Sequence, residues 1–165
     1  MEKAIAICRE MVTQRGYNVV DGDEGLVATK GDETMGVFFV DAPKFNVSMI
    51  EHVMKTLNDL AASSGIIVYR GSITPFARRV TSMEDSEVAL ELFHSDELQF
   101  NVTKHRYVPP HESVSPEEAI KIKKKYGTKL AVLLTTDPVA RFYAFRKGDI
   151  IRVTRKCGIA YRIVK

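Results

Sequence analysis

Apolar positions in the first hundred residues recur at helical spacing in two long segments. Across Glu2–Arg15 they fall on one face of a helix, and Gly16 is the residue type that most readily ends one. A second apolar stripe starts around Asn46 and continues to about residue 63, with Ser48 and Glu51 at the spacing of a capping box. These patterns predict two amphipathic helices that each bury one face.

Shorter runs between and after these helices have the composition of strands. They are rich in β-branched and aromatic residues and are bounded by Gly, Asp and Asn. The runs are Tyr17–Val20, Leu26–Lys30, Met35–Asp41, Ile66–Arg70 and Glu87–Phe93. Before the last of them, Thr74 and Pro75 predict the start of a short helix that carries Arg78 and Arg79. The order of elements predicts an α+β domain in which helices pack against a small sheet.

Two helix starts are predicted in the remainder of the chain. Ser115 and Pro116 give the first an N-cap and a proline at its first position, and Asp137 and Pro138 repeat this arrangement for a shorter helix. Four lysines between positions 121 and 125 lie at the end of the first helix. They could stabilise the negative end of the helix dipole, or they could bind a phosphate ligand.

The last residues predict a β-hairpin. Its strands are Asp149–Arg155 and Ile159–Val164, with a turn around Cys157 and Gly158. Because strand neighbours alternate faces, we expect the apolar residues of both strands on one face, toward a small core. These residues are Ile151, Val153, Ile159, Tyr161 and Ile163. The other face is expected to present the cations Arg152, Lys156 and Arg162. The hairpin would also offer an edge strand to the sheet of a partner.

Charge divides the chain into the same two parts. The net charge of the 165 residues is only +3. Residues 1–102 nevertheless carry 9 Lys and Arg against 16 Asp and Glu, a net charge of −7, whereas residues 103–165 carry 15 against 5, a net charge of +10. We therefore predict two domains, 1–102 and 103–165, that face different partners. The basic domain suits nucleic acid, or an acidic groove on another protein.

Composition narrows the class of protein. No apolar run approaches the roughly 20 residues of a membrane span, and the first residues lack the apolar core of a signal peptide. Cys8 and Cys157 are the only cysteines and are expected to be reduced thiols. The sequence predicts an intracellular protein that does not contact a membrane.

No catalytic or metal-binding motif is present in the sequence. Nucleases built on helix-flanked sheets hold Mg²⁺ with an Asp/Glu-x-Lys triplet, which the chain lacks. Asp41 and Glu87 are isolated carboxylates, and His94, His105 and His111 match no zinc spacing. There is no nucleophile–base pair in a known pattern, P-loop or dinucleotide fingerprint. We predict no cofactor, metal, catalytic residue or small-molecule substrate, and hence a binding or assembly protein.

Several segments resemble the fifth subunit of eukaryotic RNA polymerases, whose C-terminal part corresponds to a small subunit of the archaeal polymerase. Near the end of the chain these are D-P-V-A-R-F-Y, R-K-G-D-I-I-R-V-T-R-K and Y-R-I. Earlier they are M-V-T-Q-R-G-Y-N-V, G-I-I-V-Y-R-G-S-I-T-P-F-A and D-E-L-Q-F-N-V-T-K-H-R-Y-V-P-P-H. The resemblance is collinear over nearly the whole chain and is weak only between Val20 and Asn46.

This resemblance implies a non-catalytic subunit of a multisubunit DNA-directed RNA polymerase. Residues 1–102 would be a jaw with a nuclease-like fold but no nuclease chemistry, near downstream double-stranded DNA. Residues 103–165 would be an assembly domain docked on the largest subunit. Thr74 and Pro75 would lie nearest the DNA, with Arg78 and Arg79 contacting phosphates without reading sequence. The docking set would be His105, Pro109, Asp137, Pro138, Arg141, Gly148, Arg152, Tyr161 and Arg162.

Two further expectations concern source and alternatives. Archaeal relatives lack the jaw and eukaryotic ones have a longer jaw, so an abbreviated jaw indicates a large DNA virus with its own polymerase. The protein would act in the nucleus if cellular, or in a cytoplasmic viral factory and the virion if viral. The alternative functions are a stand-alone metal-dependent nuclease and a free basic DNA- or RNA-binding protein, whose affinity would fall steeply with salt.

Overall fold

The computed structural model describes residues 1–81, 88–127 and 129–165. The chain forms two compact units, Met1–Phe100 and Asn101–Lys165. Each unit combines helices with a sheet, so the predicted α+β class is confirmed. In the part of the chain that is described, no helix has the length and apolar character needed to cross a membrane.

The first unit is built on a five-stranded sheet. Its elements are α1 (Glu2–Gln14), β1 (Asn18–Gly22), β2 (Gly25–Lys30), β3 (Glu33–Val40), β4 (Lys44–Phe45), α2 (Val47–Asp59), β5 (Ser64–Tyr69), β6 (Ser72–Ile73), α3 (Pro75–Thr81) and β7 (Ala89–His94). The strand order is β1-β2-β3-β5-β7, and β2 runs antiparallel to the other four. Strands β4 and β6 form a separate two-stranded parallel pair. Glu87, the first residue of the predicted strand Glu87–Phe93, lies outside the described residues.

Helix α2 covers one face of this sheet. Its buried residues Ile50, Val53 and Leu57 pack with Phe38 of β3 and Ile67 of β5 in one apolar cluster. Removing these side chains from water is the main favourable contribution to the stability of the unit. The predicted amphipathic stripe is therefore confirmed, although the helix ends at Asp59 rather than near residue 63.

Helix α1 covers the opposite face and is fixed there by an ion pair. Arg15, which follows α1, donates two parallel hydrogen bonds to the Glu91 carboxylate on β7, at 2.7 and 2.9 Å. The Arg15 side chain is only 4% exposed. Bidentate guanidinium–carboxylate pairs of this kind are among the stronger polar contacts in proteins. The pair ties the end of α1 to the far edge of the sheet.

The two cysteines differ in environment. Cys8 is buried in α1 and Cys157 is exposed. Burial raises the pKa of the Cys8 thiol to about 12, although the Arg15 charge partly opposes the effect. Both thiols are free in the structure, and only Cys157 is accessible to a reagent.

We expect native protein to react with one equivalent of a thiol reagent at pH 8 and denatured protein with two. Because the thiolate is the reactive species, native Cys8 should react at least about 100-fold more slowly than Cys157. A Cys157→Ser variant should show no rapid reaction, and a rapid equivalent in that variant would contradict the assignment. Since the folded pKa lies above the unfolded value, the stability contributed by neutral Cys8 is complete below that unfolded value and is lost as the pH rises toward 12.

The second unit has a four-stranded sheet with a helix on each face. Its elements are β8 (His111–Ser113), α4 (Pro116–Tyr126), β9 (Ala131–Leu133), α5 (Pro138–Tyr143), β10 (Ile150–Arg155) and β11 (Gly158–Val164). The strand order is β8-β10-β11-β9, with β9 parallel to β11. Ala140 of α5 packs with Ile151 and Val153 on one face. On the other face, the ring of Tyr126 in α4 lies 5.9 Å from that of Tyr161.

The caps of the helices follow from local sequence, with one exception. Ser115 Oγ accepts the Glu118 N–H at 3.2 Å, as predicted. At α2 the cap is Asn46, whose Oδ1 accepts the Met49 N–H at 3.2 Å. The predicted capping box of Ser48 and Glu51 is wrong, because the Ser48 hydroxyl instead donates to Asn46 Oδ1 at 2.8 Å.

The predicted faces of the hairpin are also wrong. Arg155 pairs with Gly158 across the turn, so Ile151 stands opposite Arg162 and Arg152 stands opposite Tyr161. Residues that are directly opposite share a face. Arg152 and Arg162 therefore lie on opposite faces, and Ile159, Tyr161 and Ile163 do not extend the face of Ile151, which β11 completes with Val164 instead. The prediction assumed that only one face of the hairpin is covered. Because α4 and α5 cover both faces, apolar residues lie on both, and alternation along the strands does not reveal which residues share a face.

The hairpin does not supply a free edge either. Strand β10 pairs with β8, and β11 pairs with β9. The sheet edges are instead the three-residue strands β8 and β9. Short edge strands are a common protection against unwanted strand pairing.

Candidate nucleic-acid and subunit interfaces

Hydrogen bonds fix the start of helix α3 at Thr74 and Pro75. The Thr74 N–H donates to the carbonyl of buried Phe45 at 3.2 Å. Thr74 Oγ1 accepts the Ala77 N–H at 3.2 Å, which caps α3. Pro75 occupies the first helical position, where the missing N–H costs nothing. These contacts hold α3 against the β4–β6 pair.

The approach to this helix passes through a close backbone contact. At Gly71, a Cβ atom would lie 2.2 Å from the Ala42 oxygen and 2.3 Å from the Pro43 oxygen. On either side of it, the Arg70 N–H donates to the Val40 oxygen at 3.2 Å and the Ser72 N–H donates to the Pro43 oxygen at 3.1 Å. The segment that leads to α3 therefore lies flat on the segment after β3, with no room for a side chain at residue 71.

Helix α3 exposes a short cationic surface. Pro75, Arg78 and Arg79 are exposed, whereas Ala77 is fully buried. Phe76 is 64% exposed beside them. The structure thus brings the four predicted DNA-proximal residues to one element. Sequence reasoning missed Phe76, although an aromatic residue in the first turn of so short a helix is a usable signal for an exposed contact.

The carboxylates expected of a nuclease are placed for other roles. Asp41, after β3, pairs with Arg70 at 3.4 Å with both side chains largely exposed. Strands β2 and β3 contain a single acidic residue, Glu33, which accepts the Tyr17 hydroxyl at 2.9 Å. Glu87 lies outside the described residues. Among residues 1–81, 88–127 and 129–165, no group of three His, Cys, Asp or Glu side chains is arranged to hold a metal.

Three of the four histidines, those tested above for zinc spacing, support local turns. His94 Nδ1 accepts the Asp96 N–H, so Nε2 carries the proton and donates to the Arg70 oxygen at 2.9 Å. His105 Nδ1 lies 3.4 Å from the Tyr107 N–H, which donates to it. His111 Nδ1 donates to the Pro109 oxygen at 2.7 Å. His105 and Pro109, both in the predicted docking set, thus shape the segment that leads into β8.

Three members of the docking set have complete roles within the fold. Asp137 caps α5 by accepting the Val139 N–H at 2.8 Å, and Pro138 is the first residue of that helix. Gly148 has a φ of 96° and its N–H donates to the Val164 oxygen at 3.0 Å. A positive φ favours glycine. The D-P step and this glycine therefore have sufficient structural explanations.

The charged members of the set do not share one surface. Arg152 forms ion pairs with Glu112 at 3.0 Å and with Glu118 at 3.6 Å, on the face that α4 covers. Arg162 is on the other face and donates to the Val132 oxygen at 3.4 Å. Arg141 is half-buried on α5. A single docking face cannot include all nine residues.

The apolar run 130–134 is divided between core and surface. Leu133 is buried, whereas Val132 and Leu134 are exposed, Leu134 to 58%. The exposed pair lies on or beside β9, at an open edge of the sheet.

Comparison with known proteins assigns the chain to a family. A family model described as the C-terminal domain of RNA polymerase Rpb5 matches residues 100–165. The rpabc1 subunit of DNA-directed RNA polymerases I, II and III from Dictyostelium discoideum is 33% identical over 137 residues, which cover 80% of this chain and 70% of that one. This chain belongs to the fifth-subunit family of DNA-directed RNA polymerases.

Two further relatives extend the match. The RPABC1 subunit of Caenorhabditis elegans is 30% identical over 144 residues, covering 84% of this chain and 68% of that protein. A putative DNA-directed RNA polymerase subunit, 454R, of Invertebrate iridescent virus 6 is 30% identical over an alignment of 183 positions, gaps included, which covers 99% of this chain and 98% of the viral one. The predicted resemblance and the role of a transcription subunit are confirmed. The partners of this chain are therefore other polymerase subunits, and it works inside cells.

Proposed function

We propose that this protein docks on the largest polymerase subunit through residues 103–165 and forms the lower jaw near downstream DNA with residues 1–102. The observation that carries the proposal is a family match that spans both units, combined with their opposite net charges of −7 and +10. A basic domain suits docking on an acidic protein surface. An acidic domain suits a position beside DNA only if something else holds it there.

Electrostatics explain how an acidic jaw can contact DNA. Its net negative charge opposes free binding to a polyanion. Once the assembly domain is anchored, the local concentration of α3 near the duplex becomes high without any added affinity. Arg78 and Arg79 then suffice for phosphate contacts that position the duplex without sequence specificity.

The chain brings no active site of its own in this proposal. The single acidic residue in β2 and β3, Glu33, is held by Tyr17, so a nuclease-like metal centre has no ligand set on these strands. The Mg²⁺ and carboxylates of nucleotide transfer belong to other subunits. The protein needs no cofactor or small-molecule substrate. It works in the nucleus of a cellular host, or in a viral factory and virion if a virus encodes it.

Purification of a tagged chain from its native source, followed by mass spectrometry, tests this assignment. We expect two very large polymerase subunits in near-equal amounts with the tagged chain. Cross-linking should place residues 103–165 on the largest subunit. Recovery of the chain alone, with DNA cleavage in Mg²⁺ or Mn²⁺ or with direct DNA binding, would overturn the proposal.

Charge reversal on α3 tests the contact with DNA. An Arg78→Glu, Arg79→Glu variant, incorporated into the polymerase, should weaken binding of the downstream duplex about tenfold and lower the slope of log affinity against log salt by about two. The measurement compares bubble templates with long and short downstream duplexes at several salt concentrations. A Lys3→Glu, Lys55→Glu variant is the matched control, because it makes the same charge change at exposed positions on α1 and α2. Equal losses in both variants would contradict a local contact.

A further inference from the structure

A groove in the second unit is not used by the proposed contacts with DNA. It has a volume of about 750 Å³ and is lined by residues 106–110 and 154–156. The first segment begins in the turn at Arg106 and Tyr107, which the Val108 N–H closes by donating to the His105 oxygen, and it precedes β8. The second segment includes the end of β10. The Thr154 N–H donates to the Pro110 oxygen at 3.1 Å and joins the two walls. The groove is therefore formed by the fold itself rather than by a loose loop.

The groove is cationic and its lining contains no carboxylate. Its charged residues are Arg106, Arg155 and Lys156. Four of the five acidic side chains of the unit are engaged elsewhere: Glu112 and Glu118 pair with Arg152, Asp137 caps α5, and Asp149 accepts the Arg146 N–H at 2.7 Å. No ion pair of Arg155 or Lys156 is found within the described part of the chain. An anionic ligand would gain by neutralising this concentration of charge.

The remaining lining is apolar. Val108, Pro109 and Pro110 form it. The carbonyls of both prolines already accept hydrogen bonds, from His111 and from Thr154. Because proline has no backbone N–H, the groove offers an apolar floor beside cationic side chains rather than a row of backbone donors. A ligand that fits it combines negative charge with an apolar group.

These features favour a peptide over a nucleic acid. Tyr107 is exposed, but the Arg106 guanidinium lies over its ring at 4.4 Å and donates to its hydroxyl at 2.6 Å. The His105 ring is also close, at 5.6 Å between centroids. A base would have to displace these groups in order to stack on the tyrosine. A phosphodiester backbone, moreover, has nothing apolar to place on the proline floor.

We propose that this groove binds an acidic peptide segment of a partner protein, with an apolar side chain seated on Val108, Pro109 and Pro110 and flanking carboxylates on Arg106, Arg155 and Lys156. This interaction goes beyond the proposed docking on the largest subunit. It requires no particular polymerase subunit, and of these six residues only Pro109 belongs to the docking set.

Fluorescence anisotropy with the full chain tests the groove. The probe is a labelled peptide of about twelve residues in which Asp and Glu flank a central Leu-Phe pair, and a labelled single-stranded DNA of about 20 nucleotides is the rival ligand. We expect the peptide to bind, and to lose at least about tenfold in affinity with an Arg155→Glu, Lys156→Glu variant. Replacing Leu-Phe by Ser-Ser in the peptide should weaken binding at least about threefold, because the apolar floor is then left uncovered.

The control variant is Lys121→Glu, Lys129→Glu, which makes the same charge change at exposed lysines outside the groove. It should bind the peptide nearly as well as the wild-type chain. If both variants lose the same affinity for the peptide, the effect is due to net charge alone and the proposal is overturned. Absence of any peptide binding to the wild-type chain would overturn it as well. Tighter binding of the DNA, lost in the groove variant, would assign the groove to nucleic acid instead. An Arg155→Gln, Lys156→Gln variant gives the same test if charge reversal impairs folding.

Discussion

Replacing Gly71 by alanine is expected to lower the free energy of unfolding of the first unit by about 3 kcal/mol, the upper range for forcing atoms into a packed site. The new Cβ would meet the oxygens of Ala42 and Pro43 at 2.2 and 2.3 Å. Both are backbone atoms, so no side chain can rotate away to relieve the overlap. Urea denaturation followed by circular dichroism measures the effect.

Gly31 provides the matched control for this substitution. Its φ is 58°, but a Cβ there would meet nothing within 4 Å. Gly31→Ala should therefore cost only about 1 kcal/mol, from the left-handed backbone alone. If the two variants lose the same stability, steric contact is not the reason for glycine at position 71. Because the contact also positions α3, the Gly71→Ala polymerase should lose downstream DNA affinity as the Arg78→Glu, Arg79→Glu polymerase does.

Removing the carboxylate of Glu91 is the second change with a large expected effect. Glu91→Ala should destabilise the first unit by about 3 kcal/mol, because it leaves the charge of Arg15 in a buried position without its carboxylate partner. The Arg15 side chain is 4% exposed. Replacing both partners, as Arg15→Met with Glu91→Leu, should restore most of the loss, since no buried charge remains.

The exposed Arg70–Asp41 pair provides a comparison for the effect of burial on the stability that an ion pair contributes. Its side chains are 63% and 54% exposed, and exposed ion pairs contribute about 0 to 1 kcal/mol. Asp41→Ala should therefore have a much smaller effect than Glu91→Ala in the same denaturation experiment. Similar losses at the two sites, or a double variant as unstable as Glu91→Ala, would refute the dependence on burial.

Features that depend on neighbouring residues could be predicted from the sequence. Ser115 and Asp137 cap their helices as expected, because a cap needs only a side-chain oxygen two or three residues before an orphan N–H. The order of long helices and strands followed from apolar spacing in the same way. The Asn46 cap shows the limit: Ser48 had the right spacing to Glu51, but Asn46 was already placed to accept the Met49 N–H.

Features that depend on contacts across the chain could not be predicted. The two-residue strands β4 and β6 exist only because each pairs with the other. The register of the hairpin depended on the turn, which pairs Arg155 with Gly158, and not on the hydrophobicity of either strand. For the same reason, the sequence could not show that Arg152 and Arg162 point away from each other.

The two candidate interfaces also differ in whether the sequence alone could reveal them. The helix start at Thr74 and Pro75, with Arg78 and Arg79 after it, was readable because it is one continuous segment. The groove was not, since residues 106–110 and 154–156 meet only through the pairing of β8 with β10. A pattern along the sequence reveals a site made by one segment, whereas a site made by two needs the fold.

The interior position of β11 has a consequence for biosynthesis. Strands β8, β9 and β10 leave the ribosome before the strand that joins β10 to β9. A pair of strands alone is marginally stable, so the second unit cannot complete its sheet until Val164 has emerged, whereas Met1–Phe100 can fold during translation. A premature stop near Cys157 would therefore remove the whole second unit rather than one edge of it. The product would be a folded acidic domain with a disordered cationic tail that is open to proteolysis and that lacks the domain through which we propose docking on the polymerase.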